Sequence, residues 1–158
     1  MNEIFPVKMI FIPKNYFYML YISDEYGNDS VATYRGKITL FQTFIALKHY
    51  VNQHFSDSTF FPEITAFNVL SCKRQIRNQK HTGEVTGLIN LLLDIFNTLK
   101  IDDLYIIDRK NIYEFANFTT FEADLKPFFV QNPSITTQRV NAFIDWGTGV
   151  LLNSSIIL

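Results

Sequence analysis

The stretch EIFPVKMIFIPKNYFYMLYI, residues 3 to 22, most narrows the folds open to this chain. It is apolar and dense in β-branched and aromatic residues. Glu3, Pro6, Lys8, Pro13, Lys14 and Asn15 interrupt it, so it reads as two strands and not as a signal peptide. Pro6 lacks an N–H and restricts the first part of its strand to an edge or a bulge. The turn-rich DEYGND follows, and SVATYRGKI returns as a third strand. The first forty residues are therefore expected to form an antiparallel meander.

From there the apolar period lengthens. Thr39-Leu-Phe-Gln42 has capping-box spacing, and Leu40, Phe41, Phe44, Ile45, Leu47, Val51 and Phe55 predict an apolar helix face through about residue 55. Residues 64–71 are ambiguous between the two periods and are assigned to a strand. Thr82 is placed as the N-cap of a second helix, with Glu84 favourable to its dipole. Leu88, Leu91, Leu92, Ile95, Phe96 and Leu99 form its buried stripe. DDLYIID, short and apolar between acids, predicts an internal strand. Helices follow over about 109–117, 120–130 and 136–146, the last stopped by Gly147. VLLNSSIIL is expected to end the chain as a strand tucked into the sheet. The sum is a single α+β domain over residues 1–158: an N-terminal antiparallel β-meander with a mixed sheet packed against several amphipathic helices.

Composition then limits function. A net charge of −1 argues against a wholesale polyanion binder. Charge is uneven: residues 1–90 carry nine Lys or Arg against seven acids, and residues 91–158 five against eight, so opposite patches are expected. With 16 Phe, 8 Tyr and 1 Trp, some rings should reach the surface, where aromatics favour partner contacts. The one cysteine, Cys72, excludes an internal disulfide and is expected to be a buried thiol, although its basic neighbours would favour a thiolate. No apolar run reaches the length of a membrane span, and a cytoplasmic location is the expectation.

Two stretches carry candidate chemistry. CKRQIRNQKH gathers Lys73, Arg74, Arg77 and Lys80 without an acid, either as a solvated loop or as a contact surface for nucleic acid or an acidic partner. No aromatic interleaves it, as a single-strand platform would require. YIIDRK, with an acid ending an apolar run and a lysine two residues on, resembles the Asp-x-Lys half-motif of restriction-type nucleases. That resemblance implies Mg²⁺ at Asp108 and a water-positioning Lys110. The family also needs an earlier acid on a neighbouring strand. Asp102 and Asp103 would lie about 17–20 Å from Asp108 along an extended chain, too far to share an ion. Capping the following helix is the simpler role for Asp108. His49 and His54 are five apart, which does not match the four-residue spacing of helical metal pairs.

The residues imply no cofactor and no catalytic group. The expected function is a non-catalytic protein-binding domain, most concretely a small bacterial inhibitor or immunity-type protein that blocks a toxin domain. Its candidate contacts are the acids Asp94, Asp102, Asp103, Asp108, Glu114, Glu122 and Asp124, facing a basic partner.

Overall fold

The computed structural model describes all residues from 1 to 158. β1 (Glu3–Ile12) and β2 (Asn15–Ser23) form an antiparallel hairpin in which Phe5 opposes Tyr21 and Val7 opposes Met19. β3 (Asp29–Val31) adds antiparallel to β2, while β6 (Thr59–Phe60) and β7 (Thr65–Asn68) run parallel along the other edge of β1. The sheet is thus mixed, and β1 lies inside it. Pro6 is accordingly not on an edge strand. The carbonyl of Ile4 accepts from the Phe61 N–H at 2.9 Å, so even-numbered residues of β1 turn their polar groups toward β6 and β7. Pro6 therefore faces the gap between those two short strands, where no ladder bond needs an N–H.

The expected third strand is in fact three pieces. After β3, the chain makes a second hairpin from β4 (Thr33–Tyr34) and β5 (Lys37–Leu40). Arg35 and Gly36 turn it with φ of 52° and 77°, the left-handed pair that matches the twist of a two-residue hairpin. β8 (Ser155–Ile157) pairs parallel with β5 and completes a second mixed sheet, so the strand expected over VLLNSSIIL forms only in its last part, while residues 150–153 remain helical. The two sheets join where Tyr18 and Phe41 exchange two 2.8 Å backbone hydrogen bonds.

The helices are α1 (Phe44–His54), α2 (Val69–Arg77), α3 (Glu84–Thr98), α4 (Arg109–Phe121), α5 (Lys126–Gln131) and α6 (Thr137–Asn153). Several boundaries differ from expectation. α1 starts four residues later than the Thr39 capping pattern implied: Thr43 is the N-cap, accepting from the Ala46 N–H, while Thr39 is buried in β5. The strand placed over 64–71 ends at Asn68, whose side chain caps α2 by accepting from the Ser71 N–H. Gly83, not Thr82, is the N-cap of α3. Residues 101–108 form no strand. Arginines satisfy their carbonyls instead: Arg109 donates to Ile101 O at 2.8 Å, and Arg139 to Ile106 O at 2.6 Å.

The pleat divides the core. Val7, Met9 and Met19 face α2 and α3, whereas Ile4 and Leu20 face α1 with Ala32, Phe41, Leu47 and Val51. α3 is apolar nearly all round because it is enclosed by the sheet, α2, α4 and α6. α6 does not stop at Gly147. A Cβ there would lie 3.0 Å from Phe96 and 3.2 Å from Leu92, so this glycine permits close approach of α6 to α3.

Candidate functional site

α3 crosses the first sheet from β7 to β3. At one end Gly87 meets Phe67, where a Cβ would lie only 2.5 Å from the ring. At the other, Thr98 Oγ1 accepts from the Val31 N–H at 3.1 Å. Beside α3 the sheet is left partly open, as a groove of about 290 Å³. Phe5, Val7, Tyr21, Thr65 and Phe67 form its floor, and Gly87, Asn90, Leu91 and Asp94 its helical wall. Phe61, from the loop after β6, stacks on Phe5 with centroids 5.1 Å apart and planes 8° from parallel.

The polar feature of this groove is Asp94. Tyr21 Oη donates to its Oδ2 at 2.9 Å, while Oδ1 makes no hydrogen bond within the chain and is not sealed from solvent. Burial pushes the Asp94 carboxyl up from the ordinary aspartate range; the charge of Asp29 adds to this, and the Tyr21 hydrogen bond opposes it. The Tyr21 phenol is raised as well, first by burial and then by the two acids that face it. Ser23 opposes both Glu3 and Asp29 in the sheet, so the pleat puts these two acids on the face that carries Phe5 and Tyr21. None of Asp94, Asp29 and Glu3 has a cation: the ion pairs join the N-terminus to Glu25, Lys73 to Asp145, and Lys110 to Glu114.

The other sequence-selected acids lie elsewhere. Asp108 is the N-cap of α4, its Oδ1 accepting from the Asn111 N–H at 2.9 Å and its Oδ2 from the Asn111 side chain at 3.1 Å. Asp102 and Asp103 are exposed in the bent segment before it. Glu114 faces Lys110 at 4.0 Å on α4. Glu122 and Asp124 follow the far end of this 13-residue helix, about 20 Å from Asp108. Asp124 Oδ1 accepts from the Lys126 N–H. The nuclease half-motif therefore lacks its strand, and its acid is occupied by the cap. No three His, Cys, Asp or Glu side chains come together as a metal-binding group.

The basic stretch is helical through Arg77 and then turns at Asn78 and Gln79, leaving Lys80 beyond the helix. Val69, Cys72 and Ile76 form the buried face of α2; Arg74, Arg77 and Lys80 are exposed. Arg74 and Arg77 occupy the last turn, where cations suit the helix dipole. Lys73 holds both carboxylate oxygens of Asp145 at 2.7 and 2.9 Å. Cys72 Sγ donates to Glu84 Oε1 at 3.2 Å; burial and this acid raise the thiol, so the basic neighbours do not produce a thiolate. His81 is buried between α2 and α3. Its Nδ1 accepts from the Gly83 N–H, which leaves Nε2–H to donate to Glu122 O at 2.7 Å.

Of the groove residues, sequence reasoning selected only Asp94. Glu3, Phe5 and Val7 alternate at strand spacing, and that alternation was the available signal for Glu3 on an aromatic face. Tyr21 and Asp29 reach the same place through the pairing of β2 with β1 and β3, and Phe67 through the parallel pairing of the distant β7 with β1.

No family model matches the chain, and no curated protein matches it. Among solved structures, the crystal structure of the SatS C-terminal domain in complex with bromine superposes with a TM-score of 0.58. The match covers 98% of this chain and 94% of that one at 13% sequence identity, and it shows a shared fold.

Proposed function

We propose that this chain is a non-catalytic protein-binding domain of the inhibitor or immunity type, whose partner is a toxin domain with a basic surface. One observation carries the reading: an aromatic groove lies between Asp94 on α3 and a sheet face that bears Asp29 and Glu3, and none of these acids has a cation within the chain. Aromatic floors supply buried contact area at low entropic cost, and unpaired acids select a partner of opposite charge. Asp102, Asp103, Asp108, Glu114, Glu122 and Asp124 act at longer range, as charges that steer encounter. A groove near 290 Å³ lies at the small end for molecular ligands and suits an anchoring side chain.

The test is a binding measurement against toxin domains encoded beside this gene, with the chain immobilised and salt varied. The expected result is saturable binding of one basic domain that weakens as salt rises, with loss of the toxin's activity in the complex. Binding to none of them, or binding that leaves the toxin active, overturns the inhibitor reading.

A second reading rests on Arg74 and Arg77, exposed in the last turn of α2, and on Lys80, exposed just beyond it. They would contact a phosphate backbone, with DNA or RNA retention that falls steeply with salt. Retention unchanged by Arg74→Ala/Arg77→Ala removes that role.

A further inference from the structure

We infer that the groove beside α3 is a receptor for a single arginine side chain presented by the partner, with Asp94 as the acceptor of its guanidinium. This deepens the protein-binding reading and rests on it for the source of the arginine; the site itself does not.

Asp94 is set against apolar and aromatic groups, where a carboxylate gains most from a cation and loses most without one. Oδ2 is committed to Tyr21, and Oδ1 is left for a ligand. The lining then matches the rest of the side chain. Leu91, Val7 and Phe67 offer apolar surface for a methylene stem, and Phe5 and Tyr21 offer aromatic surface for a planar, weakly hydrated cation. Two further acids, Asp29 on β3 and Glu3 on β1, share that sheet face and add negative potential, and neither is paired with a cation within the chain. A lysine ammonium would meet Asp94 as a compact, strongly hydrated point charge; an arginine guanidinium also lies flat on the aromatic floor and offers a fixed fork of donors. The groups that face Asp94 are the Tyr21 phenol from β2, a neutral donor whose hydrogen bond favours the carboxylate, and Asp29 from β3, whose charge opposes it. An arriving cation relieves that opposition. Binding therefore weakens as pH falls through the raised Asp94 titration and the carboxylate takes a proton.

The test uses the full chain and n-butylguanidinium, followed by NMR shifts, with n-butylurea as the neutral analogue. Wild type is expected to bind the guanidinium with a dissociation constant on the order of 10 mM, with shifts centred on Tyr21, Phe67, Asn90 and Asp94. The urea should bind at least about tenfold more weakly. Asp94→Asn keeps shape and the Tyr21 hydrogen bond and should erase the difference between the two compounds. Asn90→Lys sits one turn before Asp94 and supplies an internal cation, so it should displace the guanidinium without unfolding the chain. Equal binding of the two compounds to wild type, or a preference retained in Asp94→Asn, overturns the site. The two readings fail separately. Guanidinium binding without any protein partner removes only the protein-binding function. A partner that binds both variants as tightly as wild type removes only the arginine site.

Discussion

Asp94 and Thr39 show single residues set against stability. The Asp94 carboxyl is raised in the folded chain, so the folded state holds its proton to higher pH than the unfolded state does. Its contribution favours folding below the unfolded aspartate range and is lost as pH rises through the raised value. Asp94→Asn should therefore raise Tm at pH 7, and the gain should fade as pH falls toward 4. Solvent reaches part of the carboxylate, which tempers the gain to about 1 kcal/mol or less, or about 2–4 °C. A thermal melt series from pH 4 to 8 checks both sign and window. Thr39 is fully buried and its Oγ1 has no hydrogen-bond partner in the protein. Thr39→Val keeps the branched shape and removes an unmet hydroxyl, and should stabilise by about 1 kcal/mol. The same residue shows why the start of α1 was misplaced. Threonine is favoured both at caps and in strands, and Thr39-Leu-Phe-Gln42 fits a capping box equally well although Thr39 and Leu40 lie in β5.

Elements with a strong one-dimensional period were legible: β1, β2 and α3 follow directly from spacing, whereas of the apolar face expected for α1 only Leu47 and Val51 are buried in the helix and Ile45 is exposed. The failures share a cause in long-range satisfaction of backbone groups. Residues 101–108 carry a strand's composition, yet the guanidinium groups of Arg109 and Arg139 take carbonyls that a neighbouring strand would have claimed. The 64–71 segment changes from strand to helix at Asn68, and that switch is held from outside. Glu84 Oε1, in the first turn of α3, accepts from the Asn68 N–H at 3.0 Å and from Cys72 Sγ at 3.2 Å. Glu84→Ala leaves that N–H without its partner and frees the start of α2. It should cost about 1–3 kcal/mol, seen as a lower denaturant midpoint at unchanged m-value. An unchanged midpoint would show that the β7–α2 junction stands without α3.

At the scale of the whole molecule, the groove is where sequence reading stops. Tyr21 and Asp94 are 73 residues apart, and Phe5, Phe67 and Asp29 arrive from three further strands. Composition showed that rings were abundant and charges nearly balanced; only sheet order brings rings and acids to one face. The proposed acidic contacts divide accordingly into one groove-wall acid, Asp94, and outlying charges around α4. These two classes should act on different rate constants. With a net charge of −1 the chain has no strong overall field, so steering depends on local asymmetry and is screened beyond about 8 Å at physiological salt. Asp102→Asn, Asp103→Asn and Glu114→Gln together neutralise exposed acids that cap no helix, and should slow association with the partner by about two- to fivefold while leaving dissociation unchanged. Asp94→Asn should do the opposite, speeding dissociation by about tenfold or more with little change in association, because its carboxylate is reached only after docking. Surface plasmon resonance on the two variants measures both rates. Equal effects on association would mean that Asp94 acts as one more distant charge and that the groove is not the seat of binding.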